Sequence, residues 1–147
     1  MFTSIVVGTD GSDMAREAVR QAVELALRVG ARLDVVCAYE PVPRGRLREE
    51  GASAPPDAQW AVNQREDVDA TLREAATAAT AAGLEVRTFA RQGDPADAIL
   101  DVAEEQHADL IVVGNKGMTG AKRFLLGSVP NRVSHHAPCS VLIIRTS

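Results

Sequence analysis

The sequence predicts an α/β fold: a single doubly wound domain with a five-stranded parallel sheet of order 3-2-1-4-5 and helices on both faces. Three observations carry this. Short apolar runs alternate with stretches of helical periodicity in the order β-α-β-α-β-α-β-α-β, the pattern that builds a parallel sheet through crossover helices. Runs such as Ile5-Val6-Val7 and Leu110-Ile111-Val112-Val113 are apolar at every position, as strands covered on both faces require. The length of 147 residues and hydrophobic content of 46% suit one domain with a sizeable core and argue against a chain disordered throughout.

The elements follow in order. Ser4 to Gly8 is the first strand, ending in the turn Thr9-Asp10-Gly11-Ser12. Ala15, Ala18, Val19, Ala22, Ala26 and Val29 recur at helical spacing, with Ser12 or Asp13 as N-terminal cap and Gly30 as the stop. Leu33 to Tyr39 is the second strand. Residues 40–58 hold Pro41, Pro43, Pro55 and Pro56 with Gly45, Gly51 and several charges, and read as a long flexible loop within the domain. A helix from about Asp57 to Ala82 ends at Gly83. Leu84 to Ala90 is the third strand. Asp94 caps the next helix, Pro95 opens it, and Ile99, Val102, Ala103 and Gln106 form its core face. Leu110 to Val113 is the fourth strand, Val129 to His136 a short helix, and Ser140 to Arg145 the fifth strand.

Composition narrows the function. The net charge of −4 comes with no basic run that resembles a nucleic-acid footprint, so no nucleic-acid partner is expected. The longest apolar runs are too short to cross a membrane, and no export signal is read. Two cysteines, Cys37 and Cys139, form no CxxC pair; a reducing cytoplasm is the expected setting.

The most informative stretch is Gly114-Asn115-Lys116-Gly117, nine residues, then Gly127-Ser128-Val129-Pro130. Its first glycine ends a strand and Gly127 precedes a helix. A helix start offers unpaired N–H groups and about half a unit of positive charge, and glycine lets the backbone approach a phosphate without a Cβ in the way. The pattern points to an anion loop for a nucleotide phosphate. In a sheet of order 3-2-1-4-5 the exits of strands one and four face one crevice at the switch point, where ligands bind. Gly8-Thr9-Asp10 and the glycine loop therefore converge. No Walker A spacing and no G-x-G-x-x-G fingerprint is present, which sets the site apart from motor and dehydrogenase classes.

The segment G-N-K-G-M-T-G-A-K-R-F-L-L-G-S-V resembles the G-x2-G-x9-G-[S/T] signature of the universal stress protein family. I-V-V-G-T-D-G-S, G-D-P-A-D-A-I-L and A-P-C-S-V-L-I-I match further pieces, so the resemblance spans essentially the whole chain. It implies a Rossmann-like fold similar to the adenine nucleotide alpha hydrolases, a homodimer formed through residues 140–145, and membership of the nucleotide-binding subclass. By that resemblance Asp10 lies near the ribose, and Ala38 offers a backbone contact to the adenine edge. Gly114 and Gly117 flank the phosphates, while Gly127, Ser128 and Val129 supply N–H groups and a hydroxyl. Pro130 removes one donor. Gly8, Thr9 and Lys116 complete the candidate set, Lys116 because it lies between two glycines.

Other residues have simpler readings. Lys122 and Arg123, like Arg44, Arg46 and Arg48, read as solvated charges that could approach phosphates. Asp10 also suits a plain turn. Asp13 fits the helix start better than it fits a magnesium on the phosphates, though it is the candidate for that contact. His135-His136 with Cys139 invites a metal reading, but adjacent helical residues point about 100° apart, so no metal site is expected. Cys37 reads as core and Cys139 as exposed or interfacial. No nucleophile with a base and an orienting partner is visible, so no catalytic residue is expected. The resulting expectation is an adenine-nucleotide-binding stress-response regulator for ATP, AMP or cyclic AMP. Its occupancy would bias the 40–58 loop, the dimer surface or a downstream protein partner. A slow nucleotide hydrolase or phosphotransferase, and a nucleotide-independent dimeric interaction protein, are the alternatives.

Overall fold

The computed structural model describes residues 1–39, 56–115 and 126–146, with backbone alone over 56–66. Residues 40–55, most of the expected loop, lie outside the described residues, as do Lys116, Gly117, Lys122 and Arg123. The elements are β1 (Ser4–Gly8), α1 (Asp13–Val29), β2 (Arg32–Tyr39), α2 (Pro56–Ala81), β3 (Val86–Gln92), α3 (Pro95–Glu105), β4 (Leu110–Gly114), α4 (Ser128–His136) and β5 (Ser140–Ile144). The expected loop thus gives way to helix at Pro56.

The sheet has the order β3-β2-β1-β4-β5, and every neighbouring pair is parallel. Alternate side chains of the central strands enter two cores. Ile5, Val7, Leu33, Val35, Leu110 and Val112 pack with Ala18, Ala22, Ala26, Leu72 and Ala79 of α1 and α2. Val6, Val36, Ile111 and Val113 pack with Ile99, Val102 and Val133 of α3 and α4. This two-sided burial explains why the strands lack polar alternation. No helix among the described residues is long and apolar enough to cross a membrane.

Local signals set the element ends. Ser12 is the N-cap of α1: its Oγ accepts from Ala15 N at 3.1 Å. Asp13 instead pairs with Arg16 at 3.0 Å, with its side chain 97% exposed. Gly30 ends α1 at φ 74° and Asp94 caps α3. Two expectations need correction. The third strand runs Val86–Gln92 rather than from Leu84, because Leu84 N donates to Ala79 O and its side chain is buried against the end of α2. Gln106 is not on the core face. It is the C-cap of α3, and its Oε1 accepts from Arg87 Nη2 at 2.7 Å.

Charged groups tie the sheet together. Asp34 of β2 is fully buried, and Arg87 of β3 donates to both of its carboxylate oxygens at 2.9 Å. This contact also raises the Arg87 guanidinium pKa. At the same, amino-terminal end of the sheet, Asp109 accepts from Thr3 N, Ser4 N and the Thr3 hydroxyl. Burial pushes its carboxyl up, but those hydrogen bonds outweigh it and leave the group below the usual value.

Arg87→Ala leaves Asp34 as an unpaired buried carboxylate. The expected loss is about 2 kcal/mol of unfolding free energy, less than for a fully buried pair because Arg87 itself is half exposed. Urea denaturation at neutral pH checks this, and a change under about 0.5 kcal/mol contradicts it.

Candidate functional site

The crevice opens at the carboxyl ends of β1 and β4, where the strand order reverses. Gly8, Thr9, Val36, Ala38, Ile99, Val113 and Gly114 line it, and Val129 and Pro130 close one side from α4. Its floor is apolar and narrow, with a cavity volume of about 30 Å³, room for roughly one or two waters. A ligand here therefore rests across the strand ends rather than sinking between them. Arg132 of α4 holds the far wall, pairing with Asp97 at 2.8 Å and Asp94 at 3.5 Å across α3.

The two strand exits differ in why they contain glycine. A Cβ on Gly8 would lie 2.4 Å from Ile99 Cδ1 and 2.9 Å from Cγ1, so any side chain there would force Ile99 of α3 to shift. A Cβ on Gly114 would meet nothing nearer than 3.8 Å. Those nearest atoms, of Thr146 and Ala18, lie at ordinary contact distance, so packing alone does not require glycine there.

After Gly8 the turn is locked by its own side chains. Thr9 is 5% exposed. Its N–H donates to Val36 O at 2.9 Å and its Oγ1 accepts from Gly11 N at 3.2 Å. Asp10 Oδ1 accepts from Ser12 N at 2.9 Å. This is the turn role foreseen for it, and among the described residues Oδ2 makes no hydrogen bond. Gly11 has φ 81°, a left-handed value that disfavours any other residue.

On the opposite rim α4 begins at Ser128, with Gly127 as N-cap and no side-chain cap. The N–H groups of the first helical residues have no intrahelical partner. Asn131 N donates to Gly127 O at 3.1 Å, so Pro130 costs the helix no bond. Gly127 departs from expectation, because its N–H donates to Asn115 O at 2.9 Å and is not available to a phosphate. That leaves Ser128 and Val129 as N–H donors, beside the exposed Ser128 hydroxyl. Asn115, which sequence reasoning passed over, holds the base of this arrangement. Only its place beside Gly114 could have drawn attention to it.

Ala38 lines the crevice at the end of β2, and the Sγ of its neighbour Cys37 donates to Ala38 O at 3.9 Å. Cys37 is buried, as foreseen, and Cys139 is half-buried; both are free thiols. Burial, with a smaller contribution from the Asp10 charge, pushes the Cys37 thiol up to about 11. No group of three or more His, Cys, Asp or Glu side chains suited to a metal occurs among the described residues. A roomier groove of about 380 Å³ runs between α1 and α2. Its rim charges pair with one another, Arg16 with Glu74 and Arg20 with Glu24.

Fold and crevice together define a doubly wound α/β domain with an open switch point. The model of the universal stress protein family matches residues 1–145, and the chain belongs to that family. It is 40% identical over 145 residues to a universal stress protein of Thermus aquaticus, covering 99% of this chain and 100% of the relative. A universal stress protein solved in complex with cAMP is 38% identical, with a TM-score of 0.75 and 99% of both chains covered. The Archaeoglobus fulgidus universal stress protein in complex with dAMP is 26% identical, with a TM-score of 0.66, covering 97% of this chain and 98% of that one.

Two outcomes follow from this geometry. Gly8→Ala costs about 1–3 kcal/mol, and Ile99→Val, which deletes the clashing Cδ1, recovers part of that loss in the double variant. Thermal unfolding of the three proteins measures this, and strict additivity would count against the contact. Under native conditions at pH 8, iodoacetamide modifies Cys139 well before Cys37, because the buried, high-pKa thiol holds little thiolate. Peptide mass spectrometry reads the order, and equal rates contradict it.

Proposed function

We propose that this chain is an adenine-nucleotide-binding regulatory protein whose site is the β1–β4 crevice. The observation that carries the reading is the meeting of three features at one switch point. They are a glycine at the end of β4 with no steric need for it, the unsatisfied N–H groups opening α4, and the Asp10 carboxylate at the end of β1. The first two suit a phosphate and the third suits a ribose hydroxyl. Ala38 supplies the backbone edge for adenine, as the family resemblance implies. Gly8 and Thr9 shape the floor, while Lys116 and Gly117 belong to the candidate set from the sequence. Relatives solved with cAMP and dAMP support an adenine nucleotide carrying at least one phosphate. The choice among ATP, AMP and cyclic AMP is a matter for titration. Magnesium would accompany a polyphosphate; Asp13, which pairs with Arg16, is the candidate carried from the sequence for that contact.

On this reading the protein works by binding rather than catalysis, with slow nucleotide hydrolysis or phosphotransfer as the alternative. We read the chain as one domain, acting in the cytoplasm, where its two free thiols stay reduced. Among the described residues β5 is the last strand of the sheet and pairs with β4 alone, and Leu142 on it is 39% exposed. That edge suits the homodimer contact through residues 140–145. Occupancy then biases the 40–58 segment or the dimer surface toward a downstream protein partner.

Freshly purified protein, denatured and analysed by mass spectrometry, should release an adenine nucleotide. The emptied protein should bind ATP, AMP or cyclic AMP in calorimetry, and Asp10→Asn should weaken that binding roughly tenfold. No released nucleotide and no heat of binding up to millimolar ligand would overturn the reading.

A further inference from the structure

Asn115 spends its backbone and its side chain on three segments at once. Its N–H donates to Ile144 O at 2.9 Å, and its carbonyl accepts from Gly127 N at 2.9 Å. Its Oδ1 accepts from Thr146 N at 2.9 Å and from Thr146 Oγ1 at 3.1 Å. It therefore links the exit of β4, the N-cap of α4 and the residues that follow β5. The side-chain bonds span 31 residues of sequence, so no local propensity produces them. Thr146 also stands behind the neighbouring glycine, its Cγ2 and Oγ1 both 3.8 Å from the Cβ position of Gly114.

The consequence is mechanical. The N–H groups of Ser128 and Val129, without a partner among the described residues, keep a fixed place relative to Gly114 because Gly127 is tied to Asn115 and Asn115 is tied to Thr146. A phosphate bound between α4 and Gly114 depends on that spacing, since oriented donors lose strength steeply as distance and angle drift. The adenine and ribose ends rest on β1 and β2 and do not depend on it.

We propose that the Asn115–Thr146 pair is a positioning latch for the phosphate end of the site, which makes the segment after β5 a determinant of nucleotide affinity. This rests on the nucleotide reading above, and two measurements separate the two ideas. The first is calorimetric titration of the full chain and its variants with ATP, AMP and adenosine. Asn115→Ala and Thr146→Val should each lower ATP and AMP affinity roughly tenfold and change adenosine affinity less than about twofold. Thr146→Ser, which keeps the hydroxyl, should restore the wild-type ratio. The second needs no ligand: amide exchange at Gly127 should speed up in Thr146→Val, while Val133, further along α4, stays protected. If Asn115→Ala does not fold, the comparison of Thr146→Val with Thr146→Ser carries the test. Equal loss of phosphate and adenosine binding means the pair is merely structural and overturns the latch. So does unchanged Gly127 exchange in Thr146→Val. A wild-type protein that binds no nucleotide overturns the functional reading, and the exchange measurement still decides whether the latch exists.

Discussion

The parallel pairing of β1 with β4 is the contact on which the rest of the structure depends. Val6 sits beside Ile111 and Val7 beside Val112, at the one place where the winding of the chain reverses. On one side the chain proceeds outward through β2 and β3, and on the other through β5. The reversal sends α1 and α2 to one face and α3 and α4 to the other. It also leaves the carboxyl ends of β1 and β4 without a helix crossing directly between them. The crevice is thus a by-product of topology. Burial of Ile5, Val6, Val7, Ile111 and Val112 at 0% exposure makes that topology stable, through the same apolar contacts that drive folding.

On that frame the two glycine exits serve different ends. At Gly8 packing favours glycine, because Ile99 of α3 occupies the space a side chain would need. At Gly114 it does not, because the nearest atoms lie at ordinary contact distance. Packing thus accounts for one glycine and not for the other. The same contrast holds for N–H groups. Gly127 is consumed inside the protein, whereas among the described residues the N–H groups of Ser128 and Val129 have no partner, unlike the capped starts of α1 and α3. The site is made from what the fold leaves unused.

Charge plays a supporting part. Asp34 with Arg87, Asp109 with the N-terminal residues, and Arg132 with Asp94 and Asp97 join elements far apart in sequence. Each holds a strand or helix end that apolar packing alone would leave free to slide. Arg132 matters most to the site, because it fixes α4 against α3 at the crevice wall. Exposed pairs within α1, such as Arg20 with Glu17, lower the Glu17 carboxyl to about 2 yet join nothing beyond their own helix.

The sequence by itself determined the order and type of the elements, the strand order, the caps at Gly30 and Asp94, and the crevice to look in, while it left Ser12 and Asp13 as alternatives for the start of α1. These signals are local: periodicity, capping chemistry and glycine spacing act within a few residues. Where it misplaced detail, a distant partner had taken over. Leu84 left the strand for the end of α2, and Gln106 left the core face for Arg87. The Gly127 N–H went to Asn115, and Asn115 itself went unnoticed because its partner, Thr146, lies 31 residues away. Only the tertiary structure decided which polar groups are spent inside the protein and which remain for a ligand. A hydrogen-bonding group shows its unmet capacity only after every long-range partner has been placed.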